Sequence, residues 1–232
     1  MGEQISLTAS DGHTLTAYRT EPSGTAIGAV VVVQEIFGVN SHIRSVVDGY
    51  AEQGYVAIAP ALFDRVNPNM VLGYEGDDVA TGRDAAFPLG WDAPLMDINA
   101  AISEARNATG NDNGGGKVAV VGYCWGGSLA YLASCKSGVD CAVGYYGGQI
   151  LKILGSEPEL QPNAPVMLHF GEHDSGIPLT DVDQLKTRHP DIPIHLYDAG
   201  HGFNCDQRAS FSKESSELAL QRTLEFFAEH MA

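Results

Sequence analysis

The segment KVAVVGYCWGGSLAYLA, residues 117–133, places a cysteine where one kind of structure changes into another. Small and β-branched residues come first, which is typical of a strand buried on both faces. Good helix formers follow. Cys124 lies between them, with Gly122 two residues before it and Gly126 two residues after it. The segment predicts a strand that turns sharply into a helix and presents a thiol. The alternative is a buried cysteine that only fills space.

Five further segments are rich in apolar and β-branched residues and predict strands, of which those at 28–38 and 55–63 are typical of strands buried on both faces. An antiparallel hairpin precedes them, because two alternating segments within residues 4–20 flank Asp11-Gly12, a strong turn pair. The five segments are GAVVVVQEIFG (28–38), YVAIAPALF (55–63), CAVGYYG (141–147), PVMLHFG (165–171) and PIHLYD (193–198).

Helical periodicity alternates with these strands. Apolar residues from Ile43 to Tyr50 recur at helical spacing and predict a helix over residues 40–54. Further helices are predicted from Asp92 as an N-cap, from the cysteine turn to about residue 137, after Pro178, and at the C-terminus. No clear period is present in residues 61–91, in residues 107–116, or between the strands at 141–147 and 165–171. These three stretches are predicted as loops, of which the first is long enough to be functional.

Strands that alternate with amphipathic helices predict an α/β fold. We expect a mostly parallel central sheet with helices on both faces and an N-terminal antiparallel hairpin. No linker of domain scale is present, so we expect a single domain over residues 1–232. Ligands of such sheets bind beyond the carboxyl ends of the strands, so the residues that follow the strands are the candidates for a site.

The composition predicts a globular chain with an acidic surface. The 232 residues carry a formal net charge of −16, and the pI is near 4.6. Such a surface repels the phosphates of nucleic acids and of anionic membranes, so neither is expected as a partner. No apolar run reaches the roughly 18 residues that a membrane helix needs.

The four cysteines form no C-x-x-C pair, and residues 1–15 lack the basic and apolar regions of a signal peptide. We therefore expect free thiols in a cytoplasmic protein. His201, Cys205 and Asp206 do not complete a set of zinc ligands. We expect a monomer that needs no metal and no other cofactor.

Three residues that follow predicted strands have the types of a catalytic triad. Cys124, Asp174 and His201 occur in the order nucleophile, acid, histidine, which is the chain order of the α/β-hydrolase triad. GYCWGG matches the nucleophile elbow G-x-S-x-G with sulfur in place of oxygen. Taken singly, Asp174 could cap a helix and His201 could be an ordinary loop histidine. Their ordered placement favours catalysis.

The motifs QEIFGVN, GYCWGG, AVGYYG, GEHDSGIP and AGHGF together resemble those of the dienelactone hydrolase family of α/β-hydrolases, from about residue 27 to the C-terminal helix. The resemblance implies an α/β-hydrolase fold and the hydrolysis of dienelactone, an enol-lactone, to maleylacetate without a metal or cofactor. It assigns the catalytic roles to Cys124, Asp174 and His201, and an acidic partner of the thiol to Glu35.

Glu35 also has an interpretation of its own, since a buried carboxylate is unfavourable unless it is paired. It either makes a structural bond or, as the family implies, holds the resting thiol and accepts its proton. In the same scheme the backbone N–H groups of Ile36 and Trp125 form the oxyanion hole.

An anionic substrate would need local cations in a chain this acidic. Preferred lactones of the family carry a carboxylate that arginines hold, and Arg83 and Arg208 lie in the predicted loops. The sequence departs from the family pattern at Cys205, where an arginine is expected. Surface ion pairs are the alternative role for both arginines. An apolar wall could come from Trp125, Phe37, Tyr74, Trp91, Tyr145 and Phe203, although each suits the core equally well.

The sequence therefore predicts a cysteine-dependent carboxylic ester hydrolase that opens dienelactone-like lactones or small activated esters through a thioester acyl-enzyme. Two other functions remain open. One is a catalytically silent α/β-hydrolase that binds a small ligand. The other is a thiol redox sensor that uses Cys124, although no resolving cysteine lies near it in sequence.

Overall fold

A computed structural model describes residues 2–110 and 116–231. The chain divides into two compact units, Met1–Val120 and Val121–Ala232. Part of the predicted loop at 107–116, residues 111–115, lies outside the described residues. The single domain over residues 1–232 stays a prediction, and each unit is described by itself.

Four strands of the first unit follow one another in the order β1-β2-β4-β3. β1 and β2 form the predicted antiparallel hairpin, β2 and β4 are antiparallel, and β3 and β4 are parallel. Every residue of β3 and β4 is buried, as continuous apolar strands require. The strands are β1 (Glu3–Thr8), β2 (Thr14–Thr20), β3 (Ala29–Val33) and β4 (Val56–Pro60).

The described residues of the first unit form three α-helices. α1 (Ser41–Glu52) confirms the helix predicted over 40–54, and the Asn40 side chain caps it by accepting from the N–H of Ile43. α3 (Asp92–Ala108) begins at Asp92, but Trp91 is the N-cap, so the capping role predicted for Asp92 is wrong. The side chain of Trp91 makes no capping hydrogen bond to α3.

The prediction of a loop over residues 61–91 is wrong in part. The stretch contains α2 (Asp78–Ala86) and two short 3-10 helices, Leu62–Arg65 and Phe87–Leu89. The buried face of α2 consists of one glycine and two alanines. Such small residues produce little contrast between apolar and polar positions, so the helical period is weak.

The strands of the second unit lie in the order β5-β6-β7-β8, and the division between the units falls within β5. β6 pairs parallel with β7, and β7 pairs parallel with β8. β5, β6 and β7 are buried throughout, as predicted for β5. The strands are β5 (Val118–Tyr123), β6 (Cys141–Tyr145), β7 (Val166–Gly171) and β8 (Ile194–Tyr197).

Helices α4, α6 and α7 confirm the predictions after the cysteine turn, after Pro178 and at the C-terminus. The loop predicted between β6 and β7 is wrong in part, because it contains α5, which spans only seven residues and is too short to show a helical period. Of the described residues, no helix is both long and apolar enough to span a membrane. The helices of this unit are α4 (Trp125–Lys136), α5 (Ile150–Ser156), α6 (Leu179–Arg188) and α7 (Lys213–His230).

Candidate active site

Cys124 occupies the tight turn that joins β5 to α4. Its φ of 55° lies in the left-handed region, which is strained for a residue with a side chain and is typical of functional sites. The N–H of Cys124 donates to the carbonyl oxygen of Tyr145 at 3.0 Å, and this bond holds the turn against the end of β6. A Cβ at Gly122 would overlap the carbonyl oxygen of Gly126, so the strand and the helix approach this closely only with glycine at 122.

The sulfur of Cys124 lies at the N-terminal end of α4, a fully formed helix that begins at Trp125. The N–H groups of a first turn point out of the helix, and the helix dipole places partial positive charge there. Both effects favour a thiolate or an oxyanion at this position. Cys124 is partly exposed, whereas Cys135, Cys141 and Cys205 are buried, and none of these four cysteines forms a disulfide.

The structure brings His201 and Asp174 together with this cysteine. Nδ1 of His201 lies 2.6 Å from Oδ2 of Asp174, and Nε2 lies 3.2 Å from the Cys124 Sγ. The second oxygen of Asp174 accepts the backbone N–H of Gly176 at 2.8 Å. The aspartate side chain is fully buried, while that of His201 is 27% exposed. The buried carboxylate therefore orients the imidazole through Nδ1, and a small molecule can still reach the exposed part of the ring.

A thiolate at Cys124 favours the protonated form of His201. Burial alone would lower the pKa of the imidazolium, but the negative charge of a Cys124 thiolate and the hydrogen bond that Nδ1–H donates to Asp174 outweigh it. Together they raise the pKa of His201 to about 10. A protonated imidazole beside a sulfur stabilises a thiolate, so the pair can exist as a thiolate and an imidazolium.

Sequence reasoning gave Tyr146 no role, yet it borders the triad. It has a φ of 40° and is buried, and its ring centroid lies 5.1 Å from that of His201. Its N–H donates to the carbonyl oxygen of His169 at 2.7 Å. The ring forms part of the wall on which the imidazole rests. No local pattern marks such a residue, because its neighbours are distant in sequence.

In the first unit, Glu35 and Ile36 lie on the loop that follows β3, and both are buried. The loop has a defined conformation: the N–H of Leu72 donates to the carbonyl oxygen of Phe37 at 2.9 Å. The side-chain amide of Gln34 donates to the carbonyl oxygen of Glu35 at 3.2 Å. Glu35 is thus placed where a carboxylate is unfavourable without a partner, as the sequence predicted.

The remaining candidates of the first unit differ in exposure. The ring centroid of Phe37 lies 4.6 Å from that of Tyr74, and Phe37 is only 2% exposed, so it belongs to the core. Tyr74 is partly exposed, and its hydroxyl accepts from Asn40 at 3.1 Å. Trp91 is partly exposed at the start of α3, and Arg83 is exposed on α2 instead of lying in a loop.

Tyr145 and Phe203 lie in the core, and their part in an apolar wall stays a prediction. Both are completely buried. The Tyr145 hydroxyl lies 2.7 Å from the Thr223 hydroxyl, and its ring packs against those of His169 and Phe203. Both rings therefore pack in the core of the second unit.

Arg208 packs against the residue that follows His201. A Cβ at Gly202 would lie 2.7 Å from the Cζ atom of Arg208, so the guanidinium occupies the space that a side chain there would fill. Gly202 also has a φ of 78°. Arg208 is partly exposed. Along the chain it is also the candidate arginine that lies closer to His201.

Comparisons with known proteins extend these observations to relatives. The model of the dienelactone hydrolase family matches residues 15–231. A carboxymethylenebutenolidase from Pseudomonas putida is 36% identical over 236 residues, covering 97% of this chain and 96% of the relative. Carboxymethylenebutenolidase 1 from Cupriavidus pinatubonensis is 31% identical over 98% of this chain and 97% of the relative.

Solved structures of related proteins have a fold similar to that of this chain. A crystal structure assigned as a dienelactone hydrolase from Klebsiella pneumoniae matches with a TM-score of 0.80 and 29% identity, covering 98% of this chain and 99% of the other. An esterase from Pyrococcus furiosus has a TM-score of 0.70 at 15% identity, covering 100% and 94%, and shows the fold alone. The chain therefore belongs to the dienelactone hydrolase family, has the predicted α/β-hydrolase fold, and is an enzyme that hydrolyses ester or lactone bonds.

Proposed function

We propose that the chain is a cysteine-dependent hydrolase that opens dienelactone-like enol-lactones, or related small activated esters, through a thioester acyl-enzyme. The observation that carries the proposal is the continuous line from the Cys124 sulfur through His201 to the buried Asp174. Relatives named carboxymethylenebutenolidase support the lactone as the substrate class. The enzyme is proposed to act as a cytoplasmic monomer without a metal or cofactor.

In the first half of the reaction, the Cys124 thiolate attacks the lactone carbonyl carbon. The carbonyl electron pair moves to oxygen, and the backbone N–H groups of Ile36 and Trp125 stabilise the resulting oxyanion. When the oxyanion collapses, the ring C–O bond breaks and the enolate oxygen leaves with that electron pair. The enolate takes a proton from the imidazolium or from water, and the acyl group remains on sulfur as a thioester.

In the second half, His201 becomes a base. The sulfur of a thioester carries no charge, so the attraction that raised the pKa of His201 is removed while burial still opposes protonation. The neutral Nε2 atom takes a proton from water, and the hydroxide attacks the thioester carbonyl carbon. The C–S bond breaks, and the thiolate is restored beside a protonated His201. Asp174 keeps the imidazole in the required orientation throughout.

Glu35 is proposed to accept the proton of the resting thiol, as in the family scheme. The 3.2 Å separation of Sγ and Nε2 makes His201 a second possible acceptor. The two routes differ in an observable way, because only the first needs a carboxylate at residue 35. A glutamine there would keep the volume and remove the base.

A thiolate nucleophile restricts the substrates. It is itself a good leaving group, so the tetrahedral intermediate returns to substrate unless the other leaving group departs easily. Enolates and aryl oxides meet that condition, whereas amide nitrogens do not. The chemistry therefore favours enol-lactones and activated esters over amides.

Arg83 and Arg208 are proposed to bind a carboxylate of the substrate. A guanidinium can donate two parallel hydrogen bonds to a carboxylate, which a surface of charge −16 would otherwise repel. The position of Arg208 against Gly202 supports this role more directly than the exposed position of Arg83 does.

A two-part experiment tests the proposal. Purified protein is assayed with p-nitrophenyl acetate and with a carboxylated dienelactone. A His201→Gln variant is then mixed with the same substrates and examined by mass spectrometry of the intact protein and of its proteolytic peptides. We expect turnover by the wild type, and in the variant a mass increase of one acyl group on the peptide that contains Cys124. Turnover with the acyl group on another residue would refute the thioester mechanism.

The silent binding protein is the competing function. It predicts saturable binding of a lactone with no product and no acylation of Cys124. Binding of the lactone without turnover, by protein whose circular dichroism shows a native fold, would therefore favour that function.

A further inference from the structure

The segment that carries His201 is bonded to the end of β7. The N–H of Glu172 donates to the carbonyl oxygen of Tyr197 at 2.8 Å, and the N–H of His173 donates to that of Ala199 at 3.0 Å. These two bonds continue the pairing of β7 with β8 beyond the last paired residues, Gly171 and Tyr197. The turn that carries Asp174 (residues 172–176, the acid turn) and the segment that carries His201 (residues 198–202, the histidine segment) therefore leave the sheet side by side.

Gly171 lies at the closest point of this approach. A Cβ there would overlap the carbonyl oxygen of Ala199 and lie 2.9 Å from that of Gly200. Gly171 is not among the described residues with a positive φ. Glycine is thus required at 171 for space and not for backbone conformation, and the atoms that need the space belong to the two residues before His201.

The same glycine also contacts the acid turn, because its carbonyl oxygen accepts the N–H of Asp174 at 3.4 Å. Gly171 consequently touches both segments that supply the Asp174–His201 pair. The pair depends on this arrangement, since its Oδ2–Nδ1 distance is 2.6 Å and a displacement of about 1 Å would break the bond.

Ser210 holds the other side of the histidine segment. Its hydroxyl donates to the carbonyl oxygen of His201 at 2.6 Å, across nine residues of a loop built from successive turns. Ser210 is partly exposed. Ser210 therefore binds the backbone of His201 directly, while the two residues before His201 occupy the space that a side chain at Gly171 would fill.

We propose that Gly171 and Ser210 are positioning residues that hold His201 between Asp174 and Cys124. The inference rests on the proposed function of the triad, but it concerns two residues outside it. Neither touches the sulfur or the imidazole, so both act through the backbone of the histidine segment.

The first test is Gly171→Ala, with Gly155→Ala as its control. A Cβ at Gly155 would meet nothing within 4 Å, and Gly155 lies on α5. We expect Gly171→Ala to lower kcat for p-nitrophenyl acetate by about 100-fold with little change in KM, since a misplacement of about 1 Å can have that effect. The pKa of His201, measured by NMR, should also fall because the hydrogen bond that its Nδ1–H donates to Asp174 is lost. Gly155→Ala should change neither.

The second test covers the case in which Gly171→Ala does not fold. Ser210→Ala removes one hydrogen bond at a partly exposed site and should lower kcat about fivefold to tenfold. Ser210→Thr keeps the hydroxyl and should restore most of the rate. Ser216→Ala is the matched control, because the Ser216 hydroxyl donates a similar bond to the carbonyl oxygen of Lys213, within α7.

The NMR measurement separates this inference from the proposed function, because it needs no turnover. A wild type without esterase activity would refute the function, and the pKa of His201 in the variants would still test the positioning. Folded Gly171→Ala with the wild-type pKa and kcat would overturn the inference. If Gly171→Ala does not fold, a Ser210→Ala variant with both wild-type values would overturn it.

Discussion

Oδ2 of Asp174 lies 2.6 Å from Nδ1 of His201, and the other oxygen of the carboxylate is occupied by the N–H of Gly176. The aspartate therefore cannot rotate without losing one of two bonds. The imidazole must present Nε2 to the sulfur of Cys124. The geometry of the pair thus fixes which nitrogen exchanges a proton with substrate and water.

The first prediction follows from the raised pKa of His201. In the wild type we expect the ring to titrate near pH 10, because the charge of a Cys124 thiolate and the hydrogen bond donated to Asp174 outweigh burial. Cys124→Ala removes the charge and leaves the burial, so the pKa should fall well below that value. NMR of the imidazole resonances across pH measures both, and Cys141→Ala is the control that should leave the titration unchanged. An unaltered pKa in Cys124→Ala would mean that Asp174 alone sets it.

The second prediction concerns the nucleophile. Cys124→Ala should abolish turnover of p-nitrophenyl acetate, because no other described thiol is exposed. Cys135→Ala, Cys141→Ala and Cys205→Ala should retain most of it, since these cysteines are buried and bear no catalytic role in the proposed mechanism. The rates are compared after each variant is shown to fold by circular dichroism. Activity that survives in Cys124→Ala would rule out the proposed mechanism.

Much of this site could be predicted from the sequence because its signals are local. The continuous apolar runs predicted β3, β5 and β7. The glycines around Cys124 predicted the turn between β5 and α4. The order of Cys124, Asp174 and His201 then indicated a triad, which the structure assembles.

Other features could not be predicted because their causes are not local. α2 buries only small residues and α5 is a seven-residue helix, so neither shows a clear period. The contacts of Tyr146 and Ser210 with His201 depend on how the chain folds back on itself. For Tyr145, the sequence could not decide between core and pocket, because both environments favour an aromatic ring.

The third prediction concerns Glu35. Glu35→Gln should fold and show a single-turnover acylation rate lower by roughly 100-fold, the contribution expected of a general base. Stopped-flow release of p-nitrophenol measures that rate. Asp48→Asn is the control, because Asp48 is another acid of the first unit and accepts bonds from the hydroxyls of Tyr18 and Thr20. A wild-type rate in Glu35→Gln would make Glu35 structural and assign the thiol proton to His201.

The last prediction concerns the charge of the substrate. Arg208→Ala and Arg83→Ala should each raise KM for a carboxylated lactone by roughly tenfold or more, since a hydrogen bond to a charged group contributes about 1.5–3 kcal/mol. Neither should alter KM for a neutral ester.

Arg188→Ala is the matched control: it is also exposed and removes the same charge, but its guanidinium donates to the carbonyl oxygen of Pro158. Steady-state kinetics with both substrates therefore separates local binding from the long-range field, which all three variants change equally. Because Arg208 packs on Gly202 next to His201, we expect its effect to be the larger. Equal effects of a variant on the two substrates would mean that its arginine supports the local structure and does not bind the carboxylate.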